Sequence, residues 1–139
     1  MNYRTFGNII LIRLDPGDEI LASLKQICAH EGVTLGAVQG IGAVNRTVLG
    51  LFDPTAKQYH ANTFEENLEI VSLTGNVTAM DGEVYLHLHM AVSDLQGRVF
   101  GGHLSEAMVS VTAEIIITRV EGAVNRKFNE EIGINLLEA

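Results

Sequence analysis

Three histidines carry the chemistry that this sequence exposes. His87 and His89 stand two apart in Val84-Tyr85-Leu86-His87-Leu88-His89-Met90-Ala91-Val92, and His103 follows in Gly101-Gly102-His103-Leu104. Strand alternation sends Val84, Leu86, Leu88, Met90 and Val92 toward a core and puts Tyr85, His87, His89 and Ala91 on the other face. Strand rise separates the two histidine backbones by roughly 7 Å. Both imidazoles can then reach one metal ion at bond lengths of about 2.0–2.1 Å. The glycines before His103 let its backbone approach a neighbouring strand closely. Three neutral imidazoles with an open fourth position are a common form of catalytic zinc site. A divalent metal held there, zinc on ligand type, acidifies its bound water and makes a nucleophile or proton-transfer group available. Spacing alone leaves a second reading open: three unrelated imidazoles on a wet sheet face, binding nothing.

The remaining reactive side chains have plainer roles. His30 falls at the end of an expected helix, where a cation interacts favourably with the exposed carbonyls. His60 lies in a polar stretch without an evident partner. Glu65, Glu66 and Glu69 form an acidic cluster suited to solvent, although a glutamate from this segment is the natural acid or base partner for a metal site. Cys28 sits on an apolar helical face as a small core residue rather than a nucleophile. Gly40-Ile41-Gly42-Ala43 lacks the third glycine of a dinucleotide loop and no helical pattern follows it, so a tight strand-to-strand turn explains it.

The elements that must position the histidines are mostly strands. Asp15-Pro16-Gly17-Asp18 predicts a helix start, with Asp15 as cap and Pro16 in the first position. Ile20, Leu21, Leu24, Ile27 and Cys28 form one apolar face, and Gly32 supplies the stop, giving a helix from about Pro16 to Glu31. Strands are expected at Tyr3–Leu14, Thr34–Gln39, Arg46–Phe52, Lys57–Ala61, Leu68–Thr78, Glu83–Ser93 and Ser110–Val120. Asp81-Gly82 favours the primed hairpin turn between two of them. One helix beside many hairpin-linked strands indicates an α+β domain with a curved, mainly antiparallel sheet.

Composition narrows the partners. At 139 residues the chain suits a single domain spanning residues 1–139. With 47% apolar and 19% charged residues it is not intrinsically disordered. The lone cysteine excludes an intrachain disulfide and fits a reducing, cytoplasmic setting. No apolar run is long enough for a membrane span. Nine basic against seventeen acidic residues give a net charge of −8, and only Arg126 and Lys127 are adjacent bases. Phosphate neutralisation is what gives nucleic-acid binders most of their affinity, so specific DNA binding by the isolated chain is disfavoured.

Several stretches together resemble the PPC domain, the plants and prokaryotes conserved domain. They are Gly17-Asp18-Glu19-Ile20, Gln39-Gly40-Ile41-Gly42-Ala43, Leu49-Gly50-Leu51-Phe52-Asp53 and Leu68-Glu69-Ile70-Val71-Ser72-Leu73-Thr74-Gly75-Asn76. Leu86-His87-Leu88-His89 and Gly97-Arg98-Val99-Phe100-Gly101-Gly102-His103-Leu104 complete the set. The similarity runs nearly the whole chain in order. It implies a compact α+β domain that assembles as a homotrimer, with a fold similar to acetolactate decarboxylase. That zinc enzyme holds its metal with a His-x-His pair and a later histidine, the arrangement of His87, His89 and His103. Its other catalytic groups do not align here, so its reaction does not transfer. Plant members of the family follow AT-hook motifs that bind the minor groove. This sequence has no such Arg-Gly-Arg core. Three function classes follow: a trimeric metal-binding protein with a small-molecule or enzymatic role, a DNA-associated regulator, and a trimeric interaction scaffold.

Overall fold

A computed structural model describes residues 1–138. The chain opens with β1 (Asn2–Phe6) and β2 (Ile9–Leu14), followed by α1 (Ile20–His30). Then come β3 (Gly36–Asp53), β4 (Gln58–Phe64), β5 (Leu68–Met80), β6 (Glu83–Ser93) and the long β7 (Val99–Arg119). A small hairpin, β8 (Arg126–Asn129) and β9 (Ile134–Leu137), follows. The seven larger strands form one sheet in the order β1-β2-β7-β6-β5-β3-β4, every strand pair antiparallel. β7 also pairs along β3, so β3, β5, β6 and β7 close a ring. The expected α+β class and curved antiparallel sheet are both present.

Closure depends on length. β3 and β7 run 18 and 21 residues and change partner along one edge. β7 pairs with β6 over Val99–His103 and with β2 over Ala113–Thr118. Register shifts interrupt the β3–β7 pairing at three places, and such bulges bend and twist a strand. The core lies inside this curve and under α1, where Ile20, Leu24, Ile27 and Cys28 meet Leu88, Met90, Ile115 and Ile117 in one buried cluster. Burial lifts the Cys28 thiol to about 12, which leaves it inert.

The observed elements correct several boundaries. The helix starts at Ile20, not Pro16, and Glu19 is its cap, accepting from the Ala22 amide at 2.6 Å. Gly17 has φ of +90°, which a helix cannot hold, and its N–H is spent on the Val109 carbonyl at 2.9 Å. Tyr3–Leu14 is two strands, because Gly7 and Asn8 turn the chain back. The strands expected at Thr34–Gln39 and Arg46–Phe52 are parts of one strand, β3, which begins at Gly36, so Gly40-Ile41-Gly42-Ala43 is a bulged stretch within it rather than a turn. The Asp81-Gly82 hairpin is present, with φ of +53° and +81° at its two central residues.

Candidate functional site

The sheet register builds the site. In the β6–β7 ladder His89 lies directly opposite His103, and in the β5–β6 ladder His87 lies opposite Asn76. All three imidazoles therefore share one face of the sheet. One ring nitrogen from each comes within 4.8 Å of the others. Ring centroids are 5.2 Å apart for His87–His89, 5.3 Å for His87–His103 and 5.7 Å for His89–His103.

Close approach of β3 and β7 fixes where His103 stands. A Cβ on Gly102 would lie 2.5 Å from the Gly50 carbonyl oxygen, so only glycine permits this crossing. On the other side of β3, Gly50 leaves room for the Tyr59 ring of β4. Tyr59 Oη donates to the His103 carbonyl at 3.3 Å and stands 2.9 Å from Ser105 Oγ, and its ring meets the His103 ring edge-on.

Electrostatics keep two of the three rings unprotonated. Burial lowers the His87 pKa to about 4, helped by the Arg126 guanidinium and the other two imidazoles. Burial also lowers that of His103, with His89 adding to the effect. A neutral imidazole offers the lone pair that a metal needs. Three imidazoles converging on one point are the donor set that suits zinc, and they leave a fourth position open.

The histidines open into a cavity of about 950 Å³. Its walls include Leu51, Phe52, Phe128 and Ile134, and its polar groups include Tyr85, Arg126 and Asn135. The β8–β9 hairpin, an element beyond the strands expected from the sequence, forms one wall. Arg126, 7% exposed, is a site residue that the sequence does not single out. Its Nε donates to Thr78 Oγ1 at 2.9 Å, Nη1 to the Asn135 carbonyl at 3.2 Å and Nη2 to Asn76 Oδ1 at 2.9 Å. Its guanidinium also lies over the Tyr85 ring, 4.8 Å from the centroid. The available signal was Ile134-Asn135-Leu136-Leu137 following a glycine, a short strand that could fold back on Arg126-Lys127-Phe128.

The expected glutamate partner is not there. Among the described residues no carboxylate lines the cavity. Glu65 is held in an ion pair with Arg46, which also reaches Glu106 at 2.6 Å, and Glu69 sits opposite Ser93 at the far end of the β5–β6 ladder. His60 is exposed on β4, and His30 ends α1 as expected.

Comparison with known proteins decides the family. The Plants and Prokaryotes Conserved (PCC) domain matches residues 1–121. The chain belongs to this family. A Bacteroides thetaiotaomicron structure, provisionally described as a DNA-binding protein, is 32% identical with a TM-score of 0.96, covering 99% of this chain and 96% of that one. A metal-containing protein from Archaeoglobus fulgidus is 31% identical with a TM-score of 0.86, covering 98% and 97%. Acetolactate decarboxylase from Bacillus subtilis strain 168 shares the fold alone, at 15% identity and a TM-score of 0.60 over 91% of this chain and 58% of that one. Among curated relatives, bifunctional protein GlmU from Synechococcus sp. (strain JA-3-3Ab) is 34% identical over 108 residues. That match covers 76% of this chain and 16% of the GlmU protein. Among the described residues of this PCC-domain chain no helix is long and apolar enough to cross a membrane.

Proposed function

We propose that this PCC-domain protein is a cytoplasmic homotrimer in which His87, His89 and His103 hold one divalent metal, zinc, at the floor of a small-molecule cavity. The observation that carries the reading is the convergence of three imidazole nitrogens within 4.8 Å on one sheet face. A family relative described as metal-containing supports it. When bound, zinc would supply Lewis acidity, polarising a ligand oxygen or lowering the pKa of water. The chain's own part is to keep His87 and His103 neutral and to brace His103 through Tyr59.

Elemental analysis of protein purified without a His tag tests this directly. About one zinc per chain is the expected result, and His89→Ala should lose it with the circular dichroism spectrum unchanged. A wild type that is metal-free and takes up no zinc at micromolar concentration defeats the reading.

Trimerisation draws on an apolar patch as well as on the family. Ile41, Val71 and Val111 are 58%, 52% and 66% exposed. Ile41 and Val71 sit in facing register shifts of β3 and β5, beside the irregular stretch of β7 that holds Val111. Exposed apolar clusters of this kind are what symmetric assemblies cover. Light scattering should give three times the 15.1 kDa chain mass, and a monomer mass at micromolar concentration rejects the trimer. At a net charge of −8 the protein should show no specific DNA affinity at physiological salt, and a defined footprint that survives moderate salt would overturn this.

A further inference from the structure

We propose that Arg126 is the anion-binding residue of the histidine cavity, and that the ligand is a small carboxylic acid whose carboxylate it grips while an apolar body lies against Phe52, Phe128 and Ile134. The argument begins with an uncompensated charge. Arg126 is 93% buried by the complement of its 7% exposure, and among the described residues no carboxylate pairs with it. Four other arginines, Arg13, Arg46, Arg98 and Arg119, each have an acidic partner. A buried cation held only by neutral acceptors leaves its charge unpaired, a costly state that an anion relieves.

Donor counting shows what remains to be filled. A guanidinium has five N–H groups. Thr78, Asn135 and Asn76 take one each, from Nε, Nη1 and Nη2. A second Nη2 contact, 3.5 Å long, reaches His87 Nδ1. One Nη1 donor is left, and the last Nη2 donor is only weakly used. Those two, on adjacent nitrogens, suffice for a two-point hold on a carboxylate. Two donors in the plane of one guanidinium match the two oxygens of a planar carboxylate. The cavity walls, largely apolar and aromatic, suit a hydrophobic remainder.

His87 links this site to the metal site, and here the inference rests on the metal reading. Arg126 can only donate, so the contact to His87 Nδ1 requires a lone pair on that nitrogen. A neutral imidazole has one lone pair. Once it is given to a metal, the other nitrogen carries the proton, and Arg126 has no acceptor there. Metal loading therefore releases the Nη2 donor toward the cavity, coupling metal occupancy to acid binding.

The test uses zinc-loaded, untagged protein and two probes of similar shape, phenylacetate and its neutral counterpart phenylacetamide, titrated by calorimetry. The acid should bind at least tenfold tighter than the amide, and the preference should shrink in metal-free protein. Arg126→Gln should abolish it. Because Arg126 ties β8 to β5, a second variant guards against a folding defect. Asn76→Asp keeps the shape and supplies the missing countercharge at the 2.9 Å contact, so it should raise the melting temperature and remove the preference. Equal binding of acid and amide by the zinc-loaded wild type, or no binding of either at millimolar concentration, overturns the proposal and leaves the metal reading standing. A preference that survives both substitutions places the anion elsewhere and overturns the assignment to Arg126. Failure to take up zinc, with an acid preference that still depends on Arg126, removes the metal reading and supports the anion site.

Discussion

The two faces of the sheet are held by different physics. Under α1 the contacts are apolar and continuous: Ile20, Leu24 and Ile27 are no more than 1% exposed and pack with Leu88, Ile115 and Ile117. On the histidine face the side chains are polar, with His87 and His103 half-buried and His89 exposed, and the Gly50–Gly102 crossing and the Arg126 hydrogen bonds set their positions. β6 serves both, sending Leu88 and Met90 one way and His87 and His89 the other. The first face supplies stability by area, and a lost methylene weakens it by degrees. The second supplies geometry, so a small displacement can remove its function while the fold survives.

The largest effect expected is on the helix face. Leu24→Ala removes a side chain buried to 0% exposure and should cost about 2–5 kcal/mol in urea denaturation. Because no residue of α1 lines the histidine cavity, zinc stoichiometry in the folded fraction should stay at the wild-type value. A loss of metal in proportion to stability would show that the two faces are not separable. Gly102→Ala is the converse. Its Cβ would collide with the Gly50 backbone, so β3 and β7 must part at His103. The expected stability loss is about 1–3 kcal/mol, as for other overpacked sites, while zinc affinity in a chelator competition should fall at least tenfold. Unchanged affinity would mean that the crossing does not position His103.

The same contrast governs what could be read from the sequence. The helix face was legible because its signal is local: Ile20, Leu21, Leu24, Ile27 and Cys28 repeat at helical spacing whatever the rest of the chain does. His87 and His89 were legible for the same reason, since period-two alternation puts them on one face. His103 could be named as a third member, but its seat opposite His89 depends on register across β6 and β7. Arg126 was missed because nothing local distinguishes it from a solvent-exposed base. Its burial comes from β8 meeting β5, a contact between residues about 50 apart in the chain. The expected glutamate partner is absent because long-range pairing decides where these side chains go: Arg46 holds Glu65 together with Glu106, and Glu69 sits opposite Ser93.

A smaller effect should come from the helix cap, which ties the start of α1 to β7. Glu19 accepts from the Ala22 amide at 2.6 Å with one carboxylate oxygen and from the Ala107 amide of β7 at 3.0 Å with the other. Glu19→Ala removes both bonds and should cost about 1–2 kcal/mol by denaturation. Glu19→Gln keeps one acceptor oxygen and should recover part of the loss. Equal losses in both variants would show that the carboxylate, rather than its hydrogen bonding, matters.

The smallest effect tests how the histidine face is entered. Asp94 follows β6 and shapes the turn that starts β7, with its side chain 2% exposed. Its carboxylate accepts from the Gln96 and Arg98 amides at 2.9 Å each and from Arg98 Nε at 2.6 Å. Burial pushes its pKa up, but these bonds outweigh burial and hold the carboxyl below its usual range. The folded-state pKa is thus lower than the unfolded value of about 3.9. The unfolded chain binds the proton more readily, so the contribution is complete above about pH 4 and is lost as pH falls through the folded pKa. Asp94→Asn should therefore be less stable than the wild type by a constant margin from pH 5 to 8, and the margin should narrow below pH 4. A gap that stays constant into acid would mean that the charge of Asp94 contributes nothing to the turn. If that turn sets the register of Val99–His103 against β6, the variant should also bind zinc slightly more weakly at pH 7, because a shift there moves His103 relative to His89.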